Sequence, residues 1–221
     1  MIYNSFYLVE NKIMSYKRSS LMQERMEQNR ETILQSAREL IAQGGFKDAQ
    51  IQAIAERAGV SSGLVYRYFD NKSQVLIEVL SDAIQHEIQI LNNIAASHLP
   101  VTEKLHKAVS TFVKRALNSP QLAYSLMFEP VDASIEHERF RSKQLIKQSI
   151  NEILAEGKIN GEFGFEDLNT AALCVVGAMT FVVIEPLNPS KNVRFDQAYK
   201  DYFVKQIADF CVSGVCLKEG N

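Results

Sequence analysis

Gln50, Gln52, Leu64 and Arg67 lie in one short stretch and share a chemistry that makes no covalent bond. An amide both donates and accepts, so Gln50 and Gln52 can read mixed hydrogen-bonding edges. A guanidinium matches the paired acceptors of guanine in the DNA major groove, which makes Arg67 the natural reader of a base. Leu64 can lie against a thymine methyl, although a single exposed leucine is ordinary on any surface. Bond-making chemistry has no comparable set. The histidines are His86, His98, His106 and His137, and none has a partner four residues away. No His-Glu-x-x-His, Gly-x-Ser-x-Gly or phosphate-loop pattern occurs. Core or surface packing accounts for each histidine. The chain is therefore read as no enzyme, with no metal site and no cofactor.

The elements that must position these residues are two short helices within Ile51–Phe69. Ile51, Ile54, Ala55 and Ala58 fall at helical spacing. Gly59 stops the first helix, because a left-handed residue at the helix end suits glycine. Ser61 is placed to cap the second by accepting from a free backbone N–H. Val65, Tyr68 and Phe69 then face inward, while Ser62, Leu64 and Arg67 face out with Tyr66 near the rim. Ala55 leaves room for two helices to cross closely. This is the helix-turn-helix layout, whose second helix enters the major groove.

Gly45-Phe46, Ile54-Ala55-Glu56-Arg57-Ala58-Gly59-Val60-Ser61, Gly63-Leu64-Val65-Tyr66-Arg67-Tyr68-Phe69 and Lys72 resemble the N-terminal domain of the tetracycline-repressor (TetR) family. The resemblance implies that Tyr66 and Tyr68 hold phosphate through their hydroxyls and Lys72 by charge. Lys72 also falls in the first turn of the next helix, where free N–H groups favour an anion. Ser61 and Ser62 complete the expected DNA-binding set. The sequence departs from the family at Ala49 and Gln50, where threonine or serine is usual, and Asp48 could replace that cap. Ser62 stands where lysine is common and Leu64 where threonine is common. These departures leave an alternative open: a ligand-binding or assembly module that has lost specific DNA recognition.

Downstream the pattern stays helical. Asn71-Lys72-Ser73-Gln74 reads as a capping box opening a helix to about Ala96. Further helices are expected over Thr102–Leu117, Gln121–Phe128, Ser134–Glu156 (ending at Gly157), Phe165–Glu185 (ending at Pro186 and Pro189) and Arg194–Val215. The fold class is all-α, with about nine helices. A leader over residues 1–23, expected to be disordered, precedes a helix-turn-helix domain over 24–72 and a helical effector-binding and dimerisation domain over 73–221. The first long helix should start near Glu24 or Gln28, and translation could begin at Met1 or Met14.

The last two long segments are apolar over much of their circumference, so each must be buried on two sides. By resemblance, they pair with a second copy as a four-helix interface. Ala171, Val175, Ala178, Met179, Val182, Tyr199, Tyr202, Phe203 and Phe210 are the expected interface residues. The family also implies an apolar cavity for a small hydrophobic or amphipathic effector, with Phe112, Met127, Phe128, Ile146, Ile150, Cys174 and Phe181 as candidate lining. Each of these can equally be plain core. Phe128-Glu129-Pro130-Val131-Asp132 resembles regulators tied to acyl metabolism. The implied activity is that of a ligand-released homodimeric repressor on a palindromic double-stranded operator.

Composition agrees with a globular chain. It has 221 residues, 46% hydrophobic and 23% charged, with net charge −2. Met14–Lys72 carries a net +2 and Ser73–Asn221 a net −4, so the DNA-facing end is the less acidic end. Cys174, Cys211 and Cys216 are odd in number and form no Cys-x-x-Cys pair, which suits a reduced cytoplasmic compartment. The uncharged run Leu168–Ile184 falls short of the ~20 residues a spanning helix needs, so no membrane partner is expected.

Overall fold

Helix stops and caps divide the chain. The computed structural model describes residues 3–188 and 196–217, with side chains from Leu21 onward. It contains ten helices among the described residues: α1 Tyr3–Gly44, α2 Ile51–Ala58, α3 Ser62–Tyr68, α4 Lys72–Ala95, α5 Val101–Asn118, α6 Pro120–Met127, α7 Ala133–Ile159, α8 Leu168–Phe181, α9 Ile184–Leu187 and α10 Gln197–Val215. Gly59 closes α2 at φ 67°, and Pro120 opens α6, where its missing N–H costs nothing. Aspartates accept from the first-turn N–H groups of α7 (Asp132), α8 (Asp167) and α10 (Asp196). Outside the helices, the described residues hold one isolated antiparallel bridge, Phe163 to Cys216.

Two apolar cores result. The N-terminal core joins Ile33, Ala37 and Ile41 of α1 with Phe46, Ile54, Val65 and Phe69. It continues past Lys72 into Val75, Leu76, Val79 and Leu80 of α4, and takes in Ile135 of α7. The packing unit thus extends beyond the boundary expected at Lys72, because the first turns of α4 supply its floor. The second core is built from α5, α7, α8 and α10, including Leu105, Val109, Ile150, Met179 and Ala208. Helix α6 touches both. Leu122 and Leu126 pack on the N-terminal core, and Ala123, Tyr124 and Met127 on the other.

Several expectations need correction. Helix α1 begins at Tyr3, not near Glu24 or Gln28, and runs through the leader expected to be disordered; no glycine or proline interrupts it before Gly44. Gly157 lies inside α7 instead of ending it. Its missing side chain admits the Phe163 ring, which would stand 2.2 Å from an added Cβ. The apolar run after Asp167 has the composition of a membrane span over Leu168–Leu187. It is nonetheless divided by a turn at Val182–Val183, and Ala172, Val175, Met179 and Val183 lie in the core. Pro186 sits within α9. Pro189, Arg194 and Phe195 lie outside the described residues.

Two outcomes follow. G157A gains about 1 kcal/mol of helix propensity but overpacks Phe163, a cost of about 1–3 kcal/mol. Chemical denaturation should therefore show net destabilisation. Asp132 is held at about 2 by its hydrogen bonds to the hydroxyls of Ser134 and Ser73 and to the Ile135 N–H. A carboxylate whose folded value is depressed adds stability above its unfolded value near 4, and that stability is lost as pH falls toward 2. D132N should flatten the stability profile between about pH 4 and pH 2; an unchanged acid limb would refute this.

Candidate nucleic-acid interface

The motif is fixed by its turn. The Val60 N–H donates to the Ala55 carbonyl at 2.9 Å and the Gly59 N–H to Glu56 at 3.1 Å, closing α2. Ser61 then caps α3, its Oγ accepting from the Leu64 N–H at 3.1 Å. Val65 and Phe69 are buried, which rolls the opposite face of α3 outward. On that face Arg67 is exposed and Tyr66 is 56% exposed. Tyr66 thus stands further out than the rim position expected of it. Leu64 and Ser62 are half-buried instead of fully outward, since a helix of seven residues has little surface clear of its own core.

Gln50 and Gln52 are exposed at the start of α2. The Gln50 amide nitrogen donates to the Lys47 carbonyl at 2.8 Å, which leaves its oxygen free to accept. Asp48 does not replace the cap: α2 has no side-chain cap at Gln50, and the Asp48 carboxylate folds back against Gly44. Arg57 is turned away from this face and ties α2 to α1 through Gln43 and Glu39.

Tyr68 is half-buried beside Phe69. Its hydroxyl accepts from Asn29 of α1 at 3.5 Å, leaving the hydroxyl proton free to be donated. Sequence reasoning missed Asn29, which lies 39 positions away on α1. The box ahead of α4 forms as expected. Asn71 accepts from the Gln74 N–H at 2.9 Å, and Gln74 accepts from the Asp70 N–H at 2.6 Å. Lys72 sits at that N-terminus. Burial pushes its ammonium below the ordinary lysine value, and the charge of Glu129 opposes that shift.

A cavity of about 300 Å³ lies between α4, α5 and α6. Ile84, Phe112, Ala116, Leu122, Ala123 and Met127 give it an apolar wall, with Arg115 and Glu87 paired at 2.7 Å on its rim. Of the expected lining, Phe112 and Met127 are there. Ile146 and Ile150 are buried in the core, with Phe128 packed against it. Cys174 and Phe181 do not line this cavity: both are exposed on the outer side of α8, whose inward side is taken by Ala172, Val175, Val176 and Met179.

The expected interface residues divide in the same way. Val175 and Met179 are core, and Ala171, Ala178 and Phe203 are half-buried. Val182, Tyr199, Tyr202 and Phe210 point outward, with Phe210 71% exposed. Leu173 and Phe181, not in the expected set, extend that outer apolar face.

Comparison with known proteins bears on both ends of the chain. The family model for bacterial regulatory proteins of the tetR family matches residues 33–79. The fatty acid metabolism regulator protein of Bacillus subtilis (strain 168) is 29% identical over 128 residues, covering 58% of this chain and 61% of its own length. The solved structure of the fatty acid degradation regulator FadR from Bacillus halodurans superposes with a TM-score of 0.73 at 24% identity, covering 84% of this chain and 95% of that one. FadR from Bacillus subtilis in complex with stearoyl-CoA gives 0.71 at 22%, covering 83% and 97%. Those two likenesses show the fold, and the family model identifies the helix-turn-helix and the first turns of α4 as the DNA-binding domain of a tetR-family regulatory protein.

Proposed function

We propose that the protein works in the cytoplasm as a homodimeric repressor released from a palindromic operator by an amphipathic acyl ligand. The observation that carries the DNA-binding part is the outward face of α3. There Arg67 and Tyr66 stand exposed on a helix whose other side is locked into the core. In this reading Arg67 reads a guanine edge. Tyr66, Tyr68 and Lys72 hold phosphates and so position the protein without specifying sequence. Gln50 and Gln52 add contacts from the start of α2.

The outer face of α8 and α10 supports a second copy as partner. Aromatic side chains stand exposed there, and Gly177 and Gly214 open onto empty space within their helices. Two-fold pairing would set two copies of α3 on half-sites about 34–36 Å apart. The acyl class is supported by the relatives: one is named for fatty acid metabolism and one is bound to stearoyl-CoA. An apolar cavity with arginine at its rim suits such a molecule. At about 300 Å³ it lies at the lower end of ligand-pocket sizes, so a long chain must push its walls apart. A ligand weakens DNA binding only by as much as it prefers the expanded form.

Selection of bound sequences from random DNA at about 150 mM salt, where phosphate contacts are partly screened, tests the function. Two inverted half-sites are expected, and stearoyl-CoA should release them. No enrichment from ligand-free protein would sink the reading. R67A should cost about 1–3 kcal/mol at one base position and relax preference there. K72A should instead weaken all sequences and lower the salt slope by about one. F210E should give a mass of 25.0 kDa by light scattering, against twice that for the parent. A dimeric F210E would exclude this face.

A further inference from the structure

We infer that Glu129 and Arg139 form a clasp that lets the cavity wall set the seat of the DNA-reading helices. The inference rests on the function proposed above and assigns its transmission to named contacts. Helix α6 has two faces. Ala123 and Met127 line the cavity, and Leu122 and Leu126 pack on the N-terminal core. Its last turn is held from outside by Arg139 of α7. The Nε of Arg139 donates to the Leu126 carbonyl at 2.9 Å and its Nη2 to the Ser125 carbonyl at 2.6 Å. These are the carbonyls that a helix end leaves without partners, and a cation suits that end.

The same guanidinium lies over the Phe46 ring, 5.7 Å from its centre. Arg139 is 5% exposed and its remaining ion-pair partner is Glu136 at 3.0 Å. A buried charge held by such a set tolerates little displacement, because losing a partner leaves it unpaired in a low dielectric. Just beyond α6, Glu129 completes the clasp. Its carboxylate accepts from the Phe46 N–H at 2.9 Å. It enters where Gly45, at φ 87°, has no side chain; a Cβ there would stand 2.6 Å from Glu129 Oε2. Ring and amide of Phe46 are thus both tied to the end of α6. Phe46 is buried in the core that carries α2 and α3. The charge of Glu129 also acts on Lys72, the expected phosphate contact. Displacement of the α6 wall therefore moves the base of the reading head.

A double-mutant cycle tests this with the full chain and the selected operator. A123F pushes on the wall from inside the cavity without any added ligand, and E129A cuts the tie to Phe46. A123F should weaken operator binding about tenfold in the parent and less than about twofold in the E129A background. Equal loss in both backgrounds overturns the clasp, as does no loss from A123F in a folded protein. If A123F fails to fold by circular dichroism, A123M runs the same cycle. A parent that binds no operator overturns the proposed function instead. Amide exchange at Phe46, read without DNA, then decides the clasp: about tenfold faster exchange in A123F supports it, and unchanged exchange refutes it.

Discussion

The reading head is too small to hold itself rigid. Small domains bury a modest fraction of their surface and are marginal alone. Here the head borrows its floor. Val75, Val79 and Leu80 from α4, Ile135 from α7, and the flanking Leu122 and Leu126 of α6 complete the core around Phe46, Ile54 and Val65. Because the floor belongs to the C-terminal helices, the position of α3 cannot be independent of how those helices are packed. Packed cores shift between discrete arrangements and do not deform continuously. A regulator can exploit that dependence, because α4, α6 and α7 each pack on both cores.

At the other end the constraint is surplus apolar surface. Helices α8 and α10 satisfy the core with one face and leave Phe181, Tyr202 and Phe210 in the open on the other. Large exposed apolar patches mark interaction sites in soluble proteins. The thiols divide along the same line. Burial pushes Cys211 up to about 11, so it is an inert core group, whereas Cys174 lies exposed on the outer side of α8.

The motif was legible because its causes are local. Gly59, Ser61, Asn71 and Gln74 each act within four residues of what they stop or cap. The faces of α8 were not legible, since apolar residues surround it and periodicity cannot say which side meets the chain's own core. Spacing alone does not separate Cys174 and Phe181, which lie on the exposed side, from Val175 and Met179, which are buried. Gly157 read as a stop because its packing partner, Phe163, lies beyond the next turn. The contacts of Glu129 with Phe46 span 83 positions, and nothing in either residue's neighbourhood announces the other. Asn29 escaped for the same reason.

The most direct test of the account is the structure of the protein bound to its operator. Two copies of α3 are expected in successive major grooves, about 34–36 Å apart, with each Arg67 guanidinium within hydrogen-bond reach of a base edge. A complex in which α3 faces solvent, or in which a single chain occupies the site, would contradict it.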